Sequence, residues 1–150
     1  MINQQILIKY VVLSLVGAAS FCLIAIYSSN WLVNTEFMKF DLEALQKSGE
    51  SAESIHANFL VKEFIMYFSV FLMAAMPISL ILACLEKREA LVISSIAAVI
   101  AIAFLQSSGF FRLLVVGQYP WLYGVFIFFG MLIIVHLLNK PMRTLTRRFT

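Results

Sequence analysis

Charge is what this sequence has least of. No Asp, Glu, Lys or Arg occurs between Tyr10 and Thr35, from Phe64 to Leu85, from Ala90 to Phe111, or from Leu113 to Asn139. Only 13% of the 150 residues are charged and 62% are hydrophobic. A soluble domain is about 25% charged and about 45–50% apolar. A soluble core has no use for that much apolar surface, so the excess faces lipid. Ion pumps, proton-coupled carriers and voltage sensors usually keep an ionisable side chain at mid-membrane depth. These uncharged runs argue against all three, and leave open passive pores built from carbonyls and hydroxyls.

Cysteine and histidine are scarce as well. Cys22 and Cys84 form no CxxC and no Cys/His cluster, which removes zinc and thioredoxin-like readings. They fall late in successive apolar runs, so a helical pair running in opposite directions puts the sulfurs some 20 Å apart by helical rise. A disulfide needs Cα atoms within about 7 Å. Haem ligation needs two facing histidines. His136 lies near the end of the last apolar run and His56 in the polar segment, so interfacial hydrogen bonding is the expectation for His136. No GxSxG, HExxH, P-loop or Rossmann fingerprint occurs. No basic stripe with interleaved aromatics is present for nucleic acid. The expectation is a protein without catalytic residues, cofactor, metal or nucleic-acid partner.

What is present is a set of apolar runs of membrane-spanning length, about 20 residues or more each. The predicted fold is an all-α membrane protein, a single domain over 1–150. Four transmembrane helices are expected at about 6–28, 62–85, 89–109 and 121–139, in an antiparallel bundle. Gly17-Ala18-Ala19 resembles a signal-peptide cleavage site, but the apolar run continues through Tyr27, which favours an uncleaved first helix. The tetrapeptide Glu86-Lys87-Arg88-Glu89 has room only for a tight turn. Pro77 removes a donor from the second helix, frees the carbonyl of Met73 and predicts a kink. The connection around Arg112 is too apolar for an ordinary loop and is expected to lie in the interface, with Arg112 reaching lipid phosphates.

Residues 30–61 form the one substantial polar segment. Phe37, Met38, Leu42 and Leu45 fall on one side of a short amphipathic helix over 34–48, and Gly49 suits the left-handed position just past its end. Ser51 can cap a further helical stretch that runs into the second membrane helix. Lys9, Lys87, Arg88, Lys140, Arg143, Arg147 and Arg148 fall on one side of this topology, with Lys39, Lys47, Lys62 and Arg112 on the other. That bias places both termini in the cytoplasm and the loop 30–61 outside, in a bacterial inner membrane.

Four features could carry function. Small residues recur at four-residue spacing: Ser14, Ala18 and Cys22; Ala75, Ser79 and Ala83; Ala97 and Ala101 with Ser94 and Ala98. Such seams serve either internal packing or a partner helix. Met66, Met73 and Met76 stand among phenylalanines and read as packing. Gln106, Arg112 and Gln118 gather near the outer face, as a shallow polar site or as ordinary helix-end satisfaction. Asp41, Glu43 and Glu50 in the outer loop offer an acid-dependent partner contact, unless the loop is only a cover. The fourth helix has no four-residue seam, is rich in Phe, and is expected to face lipid most.

Four-helix membrane enzymes of eicosanoid and glutathione metabolism share the length and loop pattern. They carry Arg, Glu and Asn inside their second helix, where this chain has none. The layout also resembles membrane immunity proteins against pore-forming colicins, in topology alone. The expected function is a non-catalytic accessory or assembly subunit acting by protein–protein contact, with membrane lipids and another membrane protein or itself as partners. An immunity or exclusion protein against a pore-forming toxin is the alternative. A small homo-oligomeric channel or carrier, with Ser69, Ser79, Ser94 and Ser95 as its polar stripe, is a third.

Overall fold

The computed structural model describes residues 4–33, 49, 51–108 and 120–149. They form four α-helices and, among the described residues, no strand: α1 (Gln4–Val33), α2 (Ala52–Ala83), α3 (Lys87–Ser107) and α4 (Pro120–Phe149). Each is long and apolar enough to cross a membrane. α3 has 21 residues, about 32 Å at 1.5 Å per residue, which matches a hydrocarbon core of about 30 Å. The other three helices have 30 to 32 residues and overrun that thickness.

Two expected boundaries are corrected, the turn after α2 and the end of α4, while the start of α2 follows the expected Ser51 cap. α2 begins ten residues before position 62, because Ser51 caps it: its Oγ accepts the N–H of Ser54 at 3.2 Å, with Glu53 in the first turn. The tight turn is displaced to residues 84–86. Glu86 takes an extended N-cap conformation (ψ 142°), and its carbonyl accepts the N–H of Ala90 at 2.8 Å. Lys87, Arg88 and Glu89 therefore open α3 instead of linking two helices. α4 does not stop near residue 139 but continues through Pro141 to Phe149. Lys140 and Arg143 therefore lie on α4 itself and not in a tail beyond it. The loop segment 34–48 and the connection 109–119 lie outside the described residues. Gly49 is described, and its φ of +76° is the left-handed conformation expected of it.

Side-chain contacts fix the arrangement. Ser14 bonds the carbonyl of Ile93 and Cys22 that of Ala101, a constant offset, so α1 and α3 lie side by side and run the same way. Tyr67 packs at a tilt against Tyr123 and Asn139 bonds the carbonyl of Ala83, so α2 and α4 also run the same way. Between α1 and α2 the numbers run oppositely: Phe21 meets Phe71, and Gly17 faces Ile78. The helices form a ring in the order α1, α2, α4, α3, with the main contacts between neighbours in that order. The hairpin partners α2 and α3 therefore stand across the ring from each other. What allows this is size: Ala74, Ala75 and Ala83 of α2 and Ala90, Ala97, Ala98 and Ala101 of α3 are all fully buried, and small side chains let helix backbones approach closely.

Candidate functional site

The small-residue seams are internal. Ser14, Ala18 and Cys22, the α2 series Ala75, Ser79 and Ala83, and the α3 series Ser94, Ala97, Ala98 and Ala101 are all buried against other helices of the same chain. A Cβ on Gly17 would lie 3.5 Å from that of Ala97, which shows how close α1 and α3 come. α4 is the least enclosed span, with 22% of its apolar window buried against 50% for α2. It does have close approaches, at Gly124 against Ile102 and at Gly130 against the ring of Phe71. Their six-residue spacing does not register as a seam in the sequence.

The hydroxyls are mostly turned back on their own helices. Ser69 bonds the carbonyl of Ile65, while Ser94 and Ser95 both bond that of Leu91. This satisfies a hydroxyl without needing water. Ser79 differs: it is fully buried and its Oγ has no hydrogen-bond partner among the described residues. Ser79 and Ser94 sit in the core, whereas Ser69 and Ser95 are half-buried nearer the outside. Of the methionines, Met66 is buried and Met73 and Met76 point outward. Where Phe21, Tyr67, Phe71, Tyr123 and Phe126 meet, they line a small, partly open gap of about 30 Å³, close to the size of one water.

Besides the Ser14 and Cys22 bonds along the α1–α3 seam, two polar contacts between helices gather at one end. Lys9 Nζ pairs with Glu89 Oε2 at 2.9 Å, joining the start of α1 to the start of α3. Both groups are partly exposed, and such a pair contributes under about 1 kcal/mol in water. Asn139 is buried on α4 and donates its amide to the carbonyls of Ala83 at 2.9 Å and Leu85 at 3.0 Å. Ala83 ends α2 and Leu85 lies in the turn after it, so neither carbonyl has a helical N–H left to accept. Asn139 thus caps a neighbouring helix and pins α4 to the turn. Beside it, Lys87, Asn139, Lys140, Arg143 and Thr144 line an open cleft of about 370 Å³. Sequence reasoning missed both Asn139 and the Lys9–Glu89 pair. The available signal was a lone amide at the boundary between an apolar run and Lys140.

Of the residues expected to carry function, only some are described. Asp41, Glu43 and Glu50 lie outside the described residues, as do Arg112 and Gln118. Gln106 is exposed on the last turn of α3. Pro77 is exposed within α2, which continues as helix on both sides of it. His136 is exposed on α4, one turn before Lys140. Both cysteines are free: Cys22 is buried at the level of Ala101 and Cys84 is exposed at the turn before Lys87. Those two levels of α3 are about 20 Å apart. No protein-family model matches the chain, and no curated protein or solved structure is similar to it.

Proposed function

We propose that this is a non-catalytic, multi-pass protein of a bacterial inner membrane, with both termini cytoplasmic, acting as an accessory or assembly subunit through contact with another membrane protein. On this reading successive helices run antiparallel across the bilayer, and residues 34–48 form a short amphipathic helix on the outer surface. The observation that carries the proposal is where the polar groups go. Ser14, Ser94, Ser95 and Asn139 bond main-chain carbonyls of the chain itself, and the outward surface of the spans is built of side chains such as Leu23, Ile81, Val99 and Leu137. Such a surface offers shape and dispersion to a partner helix or a lipid.

A lateral groove between α1 and α3, lined by Ala18, Ala19, Cys22, Leu23, Ile100 and Phe104, is the place where a partner helix could come closest. The acids Asp41, Glu43 and Glu50 supply a second contact outside the membrane. Photo-crosslinkers at Ala19 and Phe104, with Ile133 on α4 as control, test the reading in intact membranes. The expected result is one discrete heterologous membrane protein captured from the groove positions. Charge reversal of Asp41, Glu43 and Glu50 should then weaken capture in a salt-sensitive way while leaving insertion intact. Lipid-only adducts at both groove positions, together with unchanged behaviour of the triple variant, would refute the contact role.

A further inference from the structure

The geometry points to a binding site for the phosphate of an anionic phospholipid in the cleft between the start of α3 and the C-terminal half of α4. Three cations line it, Lys87, Lys140 and Arg143, and none of them forms an ion pair with a described residue. The nearby acid of α3, Glu89, is already held by Lys9. Lys87 is the first residue of α3 and Glu86 gives no side-chain cap, so the positive end of that helix adds to the same wall. The wall does not collapse, because Asn139 fixes α4 to the end of α2 through two hydrogen bonds. Thr144 is turned back onto the carbonyl of Lys140 at 2.9 Å and leaves the cations facing the opening.

Depth selects a lipid over a soluble anion. The apolar span of α2 ends at Ala83 and that of α3 starts at Lys87, so the cleft sits where hydrocarbon gives way to headgroups. A guanidinium reads a phosphate through two parallel hydrogen bonds, and the two ammonium groups add charge. Basic pockets between membrane helices hold anionic headgroups by this chemistry.

The test uses the full chain in detergent, titrated with phosphatidylglycerol or phosphatidylcholine and read by native mass spectrometry. The wild type should retain one phosphatidylglycerol in preference to phosphatidylcholine. The variant K140Q/R143Q should lose that preference about thirtyfold, at about fivefold per cation. Inorganic phosphate in excess should not displace the lipid. Equal retention of the two lipids overturns the proposal, as does an unchanged preference in K140Q/R143Q. Displacement by inorganic phosphate would reassign the cleft to a free anion and overturn the lipid assignment. Should K140Q/R143Q lose its helical circular dichroism, R143Q against R88Q decides, since each removes one charge from the same end. Selective loss in R143Q supports the site; equal loss in both means general surface charge and overturns it.

Discussion

At the scale of single residues, two buried polar side chains make opposite predictions. Asn139 supplies donors to two carbonyls, one at the end of α2 and one in the turn after it. Replacing it with Ala leaves both carbonyls without them. Stability should fall by about 1–3 kcal/mol, the cost of an unsatisfied buried polar group. Thermal unfolding in detergent measures it, and an unchanged midpoint would mean that water takes over both bonds. Ser79 is fully buried with an Oγ that has no partner among the described residues. Ser79→Ala removes that hydroxyl without opening a cavity, so stability should rise, by up to about 1 kcal/mol. A loss of stability in the same assay would reveal an unseen partner. The four-residue spacing already marks Ser79 as part of the buried α2 seam. Ser79 also stood out as a possible pore-lining group, and Asn139 did not stand out at all. A polar residue's role depends on which carbonyl it faces, and that is set by a helix 56 positions away.

At the scale of elements, α2 carries both Pro77 and Phe71. Pro77 is exposed on the outer face, and the carbonyl of Met73 has no N–H opposite it. Pro77→Ala restores that bond and touches no core contact, so stability should rise by about 1 kcal/mol, less than the full cost of an interior proline because neighbours can partly satisfy the carbonyl. A fall in the unfolding midpoint would show that proline at position 77 is needed for packing. Gly130 on α4 gives the reverse case. A Cβ there would come within 2.5 Å of the Phe71 ring, which is held between Phe21 and Phe126. Gly130→Ala should cost about 1–3 kcal/mol by overpacking, while Gly49→Ala should leave the α2–α4 seam untouched. The four spans were legible because hydrophobic length is a one-dimensional property. The seams of α1, α2 and α3 were legible because four-residue spacing marks one helix face. Glycines six apart on α4 carry no such mark, and the helix beyond Asn139 was hidden by Pro141, which reads as a stop. The ring order was not legible either, since nothing in the chain says that α2 and α3 should stand diagonally.

At the scale of the whole molecule, contacts join segments that the sequence could only sort by counting. Lys9 meets Glu89, and Asn139 meets Leu85, so the start of α1, the 84–86 turn and the second half of α4 share one end. Lys87, Arg88, Lys140 and Arg143 belong to that end with Lys9, and Arg147 and Arg148 continue the same helix. On the proposed topology seven basic residues fall on this side and four, Lys39, Lys47, Lys62 and Arg112, on the other. Basic residues near span ends resist translocation, whereas acids contribute little, so the seven should stay in the cytoplasm. Reporter fusions test this directly: a periplasm-active enzyme should work when joined at residue 50 and fail at residue 150. The sharper experiment changes the count. Replacing Lys87, Arg88, Lys140 and Arg143 with Gln leaves Lys9, Arg147 and Arg148, three against four. The bias then reverses without altering any apolar span or the Asn139 bonds. If charge sets the orientation, this variant should insert both ways round, with reporter activity at both fusion sites. If it inserts only as the parent does, then the packing of α1 against α3, and not the basic end, fixes which way the bundle faces.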